Sequence, residues 1–238
     1  MPVAIHELDR GLGLVNSLIF LEGQYADPPR QDDLSSVMAL RGGAIVLVVA
    51  NFENYLKERT KEFISYLSTF LVDRRVYDFD KLPDDVRISH YYLTLEFALK
   101  GNRHERTDRI ARISEIELAA RDVSGKILDP LAFAQTGGNP NTTTINSIFK
   151  SLGIRQPFNL LTPLYVSISG TQIAGTFLED KLEALIQVRN TVAHTANILN
   201  VSRSDIIEYR DFIHNISLSI DDLLNTHAEA VRINCVRI

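Results

Sequence analysis

Arg189 and His194 carry the chemistry most readily read from this chain. They lie in LEDKLEALIQVRNTVAHT, residues 178–195, with Asn190 between them. Histidine is the side chain best suited to moving a proton near neutral pH. An arginine set in an apolar helical seam either runs its stem out to water or meets an anion. Asn190 precedes His194 by four residues, so those two share a helix face. Arg189 and His194 are about 140° apart on an ideal helix. One straight helix does not aim both at one point. Arginine's reach, a bent helix end or a second copy of the helix would be needed. The bland alternative pairs Arg189 with Glu183 or Asp180 and leaves His194 an ordinary histidine near a helix end.

The element that must position these residues is an amphipathic helix, with Leu178, Leu182, Leu185, Val188 and Val192 at steps of three and four. Ser169 or Thr171 is its expected cap. A second strong helix is expected from about Leu34 to Leu71, interrupted at Gly42-Gly43. Its run Ala44 to Ala50 is apolar and β-branched enough for a buried strand. The pattern continues through Phe52, Leu56, Phe63, Leu67 and Phe70, so a helix is the better reading. A helix apolar on every side belongs at the centre of a bundle.

Arg189-Asn190-Thr191-Val192-Ala193-His194, an Arg, four residues and a His, resembles the signature of the HEPN superfamily. Residues 136–153, TGGNPNTTTINSIFKSLG, resemble the Asn-Pro-Asn segment of its RiboL-PSP-HEPN branch. Residues 40–58, LRGGAIVLVVANFENYLKE, resemble that branch's early helix, where a Phe-Glu pair is followed by a lysine. The likeness spans roughly residues 35–220 and departs over 73–135. It implies an all-α, HEPN-like helical bundle in one domain, 1–238, with 73–135 as a long helical middle insertion and a motif-bearing hairpin over 169–234. It also implies a metal-independent endoribonuclease without cofactor, acting on RNA through Arg189, His194 and Asn190. Such proteins form homodimers and serve as toxins or phage-defence effectors, often with an antitoxin or defence partner. Others of the same fold are non-catalytic binding modules, which is the second reading here. A third, a nucleotide-transfer accessory domain, has no supporting residue.

Glu53 and Lys57, four apart in the favourable order for a helix ion pair, border the motif helix on this resemblance. They join the candidate site as substrate-binding residues. Arg103 and Arg106 open a row of arginines at every third residue, with Arg109 and Arg112. Such a row makes a broad basic surface, read either as a face paired with Glu105, Asp108, Glu115 and Glu117 or as a track for an RNA backbone.

The remaining chain narrows the class. A net charge of −5 argues against a lysine-coated, unspecific nucleic-acid binder, though it leaves a local basic cleft possible. A single cysteine, Cys235, cannot form an internal disulfide and fits a reducing cytoplasm. The N-terminus reads as lacking a signal peptide, and Ala44–Ala50 is too short to span a bilayer, so no membrane association is expected. No histidine or cysteine pair has metal-ligand spacing, and no Walker A loop or dinucleotide fingerprint is present.

Other elements are expected as follows. A first helix covers 4–24, and further helices start at Pro83-Asp84-Asp85 and cover 103–128. Residues 134–144 form a loop, and Thr143 or Thr144 caps a short helix ending near Gly153. Residues 154–168, with two prolines, are expected to be loop with at most one short strand. A last helix is capped by Ser202 or Ser204, and its seam includes His227, read as packed and hydrogen-bonded.

Overall fold

A computed structural model describes residues 3–100, 109–195 and 201–237. Among the described residues the chain is all-α, with nine α-helices, two short 3-10 turns and no strand. The helices are α1 (Val3–Glu22), α2 (Leu34–Leu71), α3 (Asp84–Lys100), α4 (Arg109–Gly125), α5 (Pro130–Phe133), α6 (Thr142–Ser151), α7 (Pro157–Ser169), α8 (Phe177–Thr195) and α9 (Arg203–Asn234). Residues 196–200, between α8 and α9, fall outside the described residues, as do Arg103 and Arg106.

The contacts divide the chain into two compact units. The first comprises residues 1–59, 136–145 and 158–223; the second comprises 60–135, 146–157 and 224–238. The divisions fall inside α2, α6 and α9 and after the first residue of α7.

In the first unit, α2 is unbroken through Gly42-Gly43, and Ala44–Ala50 is helix. Two small residues in series cost a helix about 1 kcal/mol each, and burial of Ile45, Val48, Val49, Phe52 and Tyr55 outweighs that cost. Burial is not all-round: Val46, Ala50 and Asn54, four apart, form a narrow exposed stripe. The stretch 31–71 is long and apolar enough to cross a membrane by length and composition alone. Val37, Ile45, Val48, Val49, Phe52, Leu56, Phe63 and Leu67 along it are buried in protein, as in a core helix.

Buried charge on α2 is paired. Arg41, only 6% exposed, donates to Glu22 Oε1 at 2.7 Å through Nε and to the Val201 carbonyl at 2.9 Å through Nη1. Its Nη2 lies 3.0 Å from Asp27 Oδ1. Glu22 also receives Arg203, whose guanidinium reaches the Glu22 and Tyr25 carbonyls as well. Arg59 pairs with Asp221 at 2.6 Å, and the Tyr55 hydroxyl donates to the Ser217 carbonyl at 2.7 Å. Ser202 caps α9 as expected. Its Oγ accepts from Asp205 N while Asp205 Oδ2 accepts from Ser202 N, a reciprocal box that holds the Asp205 carboxyl below its ordinary pKa.

Two local expectations are overturned here. Residues 157–169 are helix, not loop, although Pro163 sits inside. Pro157 occupies the first turn, where its missing N–H is harmless. Phe158, Leu161 and Tyr165 bury one face, which outweighs the hydrogen bond that Pro163 removes. The start of α8 is also later than expected. Neither Ser169 nor Thr171 caps it; Gly170 (φ +67°) and Gly175 (φ +59°) hold the connection out of helix, and Thr176 bonds to Asp180 at the true start.

In the second unit, Phe63, Leu67, Phe79, Leu82, Phe133, Phe149 and Val231 form the core. His227 is packed, as its place in the seam implies. It stacks on Phe63 and its Nε2 lies 2.9 Å from the Leu152 carbonyl, so burial lowers its pKa. Cys235 is buried and its thiol is pushed up to about 11 by desolvation, so it stays a protonated core residue. The segment before α3 pairs with the C-terminal residues through a single bridge, Tyr77 to Val236.

Replacing Arg41 with Met leaves the buried Glu22 carboxylate with Arg203 as its one remaining cationic partner among the described residues. The variant is expected to lose about 3 kcal/mol in urea unfolding at pH 7. Arg203→Met, at a partly exposed cation, should lose less.

Candidate functional site

The candidate site is built in the first unit from three elements: α2, the loop 136–141 and α8. α8 buries Leu178, Leu182, Leu185 and Ile186, with Val188 and Val192 half-buried. That stripe fixes the rotation of the helix. Arg189 and Asn190 then lie half-buried at its edge, and His194 stands exposed one turn later. α8 runs unbroken from Phe177 to Thr195, so the wide angle between Arg189 and His194 is retained.

Close approach of α8 to α2 depends on Gly42. A Cβ there would sit 3.2 Å from Cγ1 of Val192, tighter than ordinary van der Waals contact. Gly42 is buried, and its missing side chain lets the motif helix lie against α2.

Glu53 is the polar centre on the α2 side. Its Oε1 receives the Lys57 ammonium at 2.6 Å and the Thr136 hydroxyl at 2.7 Å. Burial by itself raises the Glu53 pKa. The hydrogen bonds from Lys57 and Thr136, with the charges of Lys57 and Arg189, more than offset it and hold the carboxyl below its ordinary value. Glu53 is therefore an anion at neutral pH, close enough to Arg189 to feel its charge. The expected Glu53–Lys57 pair is present. It neutralises much of the Lys57 charge and makes Glu53 an anchor for cations.

Arg189 Nη1 donates to Asn190 Oδ1 at 3.1 Å. It forms no ion pair with a carboxylate among the described residues. Glu183 and Asp180 are engaged elsewhere: Asp180 with Thr176, and Glu183 with Thr142, accepting from the backbone N at 3.0 Å and from the hydroxyl at 2.5 Å. The purely structural pairing for Arg189 is therefore not the one the fold makes. Asn190 shares a face with His194, but its bond goes to Arg189.

The loop is clipped at both ends, by Thr136 to Glu53 on α2 and by Thr142 to Glu183 on α8. Glu183 and Asn190 are seven residues apart, about 20° around the helix, so the loop is held on the side that Asn190 presents. Within it Asn139 Oδ1 is buried and has no hydrogen-bond partner among the described residues. Asn141, rather than Thr143 or Thr144, caps α6, its Oδ1 accepting from Thr144 N at 2.9 Å. The signal for that was local: asparagine after a proline, three residues ahead of the bonded amide. Thr136 and Glu183, by contrast, had no sequence signal, because their partners lie 83 and 41 residues away.

Among the described residues no group of three His, Cys, Asp or Glu is placed to hold a metal ion.

An all-helical chain with Arg189, Asn190 and His194 on one helix and a Glu–Lys pair beside it has the make-up of a HEPN domain. Comparison with protein families agrees: the RiboL-PSP-HEPN model matches residues 14–226, and the chain belongs to that family. HEPN proteins are often ribonucleases, so membership points to a function on RNA. Neither a curated protein nor a solved structure matches the chain.

Two outcomes follow from this geometry. Gly42→Val drives a branched side chain into Val192 and should destabilise the protein by about 1–3 kcal/mol in urea unfolding. The Glu53 carboxylate contributes stability that is fully present above its ordinary pKa of 4.5 and is lost as pH falls through the lowered folded value. Wild type should therefore exceed Glu53→Gln in stability at neutral pH, and the gap should close on acidification below pH 4.5, as followed by urea unfolding across pH.

Proposed function

We propose that this protein is a metal-independent endoribonuclease that cuts RNA by attack of the 2′-OH on the adjacent phosphodiester. The observation that carries this reading is an intact Arg189 and His194 on one helix in a RiboL-PSP-HEPN chain, with Arg189 held by Asn190 rather than by a carboxylate.

RNA supplies its own nucleophile. His194, exposed to solvent, takes the 2′-OH proton as base or protonates the leaving 5′ oxygen as acid. Arg189 binds the phosphate and stabilises the added negative charge of the transition state. Asn190 fixes the Arg189 guanidinium. The bond from O2′ to phosphorus forms as that from phosphorus to O5′ breaks, giving a 2′,3′-cyclic phosphate and a 5′-hydroxyl. DNA, without the 2′-OH, is not cut.

One histidine does not serve as base and acid in the same step, and Arg189 and His194 diverge around α8. Both points favour a homodimer in which two copies of α8 complete one cleft, related by a two-fold axis. A nuclease of this kind requires restraint, which fits a cytoplasmic toxin or phage-defence effector with an antitoxin or defence partner.

Labelled RNA incubated with the protein in EDTA tests the reading. Wild type should yield cyclic-phosphate ends, and Arg189→Ala and His194→Ala should each be slower by about a hundredfold or more. Equal cutting by all three proteins would remove both residues from the chemistry. Cutting by none of them, also with a co-expressed partner, would favour a non-catalytic RNA-binding or interaction module.

A further inference from the structure

Glu53 is an anion that the fold must answer. Its side chain is only 14% exposed, and a carboxylate at that depth is unfavourable unless cations or donors meet it. Lys57, 39% exposed, and the Thr136 hydroxyl meet it, both at Oε1, at 2.6 Å and 2.7 Å. Arg189 stands near enough for its charge to help keep the same carboxyl ionised. Its guanidinium nevertheless bonds to a neutral acceptor, Asn190 Oδ1, at 3.1 Å, and to no carboxylate among the described residues.

That division is not the one side-chain chemistry favours by itself. A guanidinium offers a carboxylate two parallel N–H donors where an ammonium offers a point charge, and it sheds water more readily. On equal terms Arg189 would take Glu53. Position decides otherwise. Lys57 follows Glu53 by four residues on α2, the spacing and order at which an ammonium reaches a carboxylate within one helix. It is therefore in place whatever α8 does. Thr136 belongs to a loop whose other end is fastened by Thr142 to Glu183. Together they occupy Glu53 ahead of a side chain from another helix.

We infer that Lys57 and Thr136 are positioning residues that act through Glu53: by holding its carboxylate they leave the Arg189 guanidinium available to a phosphate. Lys57 serves by this ion pair and not by binding RNA. Without it Glu53 pairs with Arg189, and a phosphodiester has to break that pair before it binds. The consequence for RNA rests on the ribonuclease reading; the competition of two cations for one anion does not.

The test reads Arg189 directly, by the rate at which phenylglyoxal modifies it in the full chain. Peptide mass spectrometry follows the reaction, with the exposed Arg30 as internal reference. Lys57→Met, which keeps an unbranched stem at the helix surface, should slow modification of Arg189 at least about tenfold, the factor for opening a charge-assisted pair. Thr136→Val should slow it less. Lys57→Arg keeps a cation on Glu53 and should react as wild type. Lys57→Met/Glu53→Gln, with no anion left to claim Arg189, should return to the wild-type rate. An unchanged rate in Lys57→Met, or a double variant as slow as Lys57→Met, would overturn the inference. RNA cleavage by the same proteins gives the second readout. KM should rise at least about tenfold in Lys57→Met and fall back in the double variant. A KM that stays high in the double variant would make Lys57 an RNA ligand and overturn the inference. A wild type that cuts no RNA would remove the ribonuclease reading, while the Arg189 modification rates would still decide this one.

Discussion

Charge carried on a helix that has to be buried is the constraint behind the first unit. α2 is apolar over most of its surface, yet it holds Arg41, Glu53 and Arg59. None of these can be left unpaired at low exposure without a cost of several kcal/mol. Each therefore selects its neighbour. Arg41 takes Glu22 at the end of α1, Asp27 in the connection and the Val201 carbonyl ahead of α9. Arg59 takes Asp221 within α9. Glu53 takes Lys57 from its own helix and Thr136 from the Asn-Pro-Asn loop. Hydrophobic burial drives these elements together, but it is non-directional. The pairs supply the register.

The candidate site follows from the same arrangement. Glu53 both fastens the loop and places a permanent anion near Arg189, and Glu183 on α8 fastens the loop's other end. The site thus rests on a frame of side-chain hydrogen bonds spanning α2, the loop and α8. Gly42 sets how closely the two helices approach. Glu183 and Asp180 bond to Thr142 and Thr176, so neither is the partner of Arg189, whose guanidinium bonds to Asn190.

The two units use their titratable groups differently. In the second, His90, His227 and Cys235 are buried and shifted toward their neutral forms by desolvation. They are packing groups, and His227 and His90 show that a histidine's presence says little about chemistry. In the first, His194 is exposed beside a half-buried arginine and asparagine. Location, not residue type, separates the exposed His194 from the packed His90 and His227.

The sequence by itself determined the helical class, the presence of long helices at α2, α8 and α9, a serine cap on α9 at Ser202 or Ser204, the packed state of His227 and the Glu53–Lys57 pair. All of these are set by interactions within a few residues or by apolar periodicity, which a sequence displays directly. It also displayed the Arg189, Asn190 and His194 spacing that resembles the HEPN signature. It did not show that α2 runs unbroken through Gly42-Gly43 or that α8 starts only at Phe177. Tertiary structure alone decided the helical state of residues 157–169, where burial of Phe158, Leu161 and Tyr165 overrode Pro163. It decided that Asn190 serves Arg189, that Thr136 and Thr142 clip the loop, and that Glu183 is an anchor and not the partner of Arg189. Those choices are made by groups tens of residues apart competing for one another in a crowded interior. No local spacing encodes the outcome of that competition, because it depends on which partners the folded chain has already brought within reach.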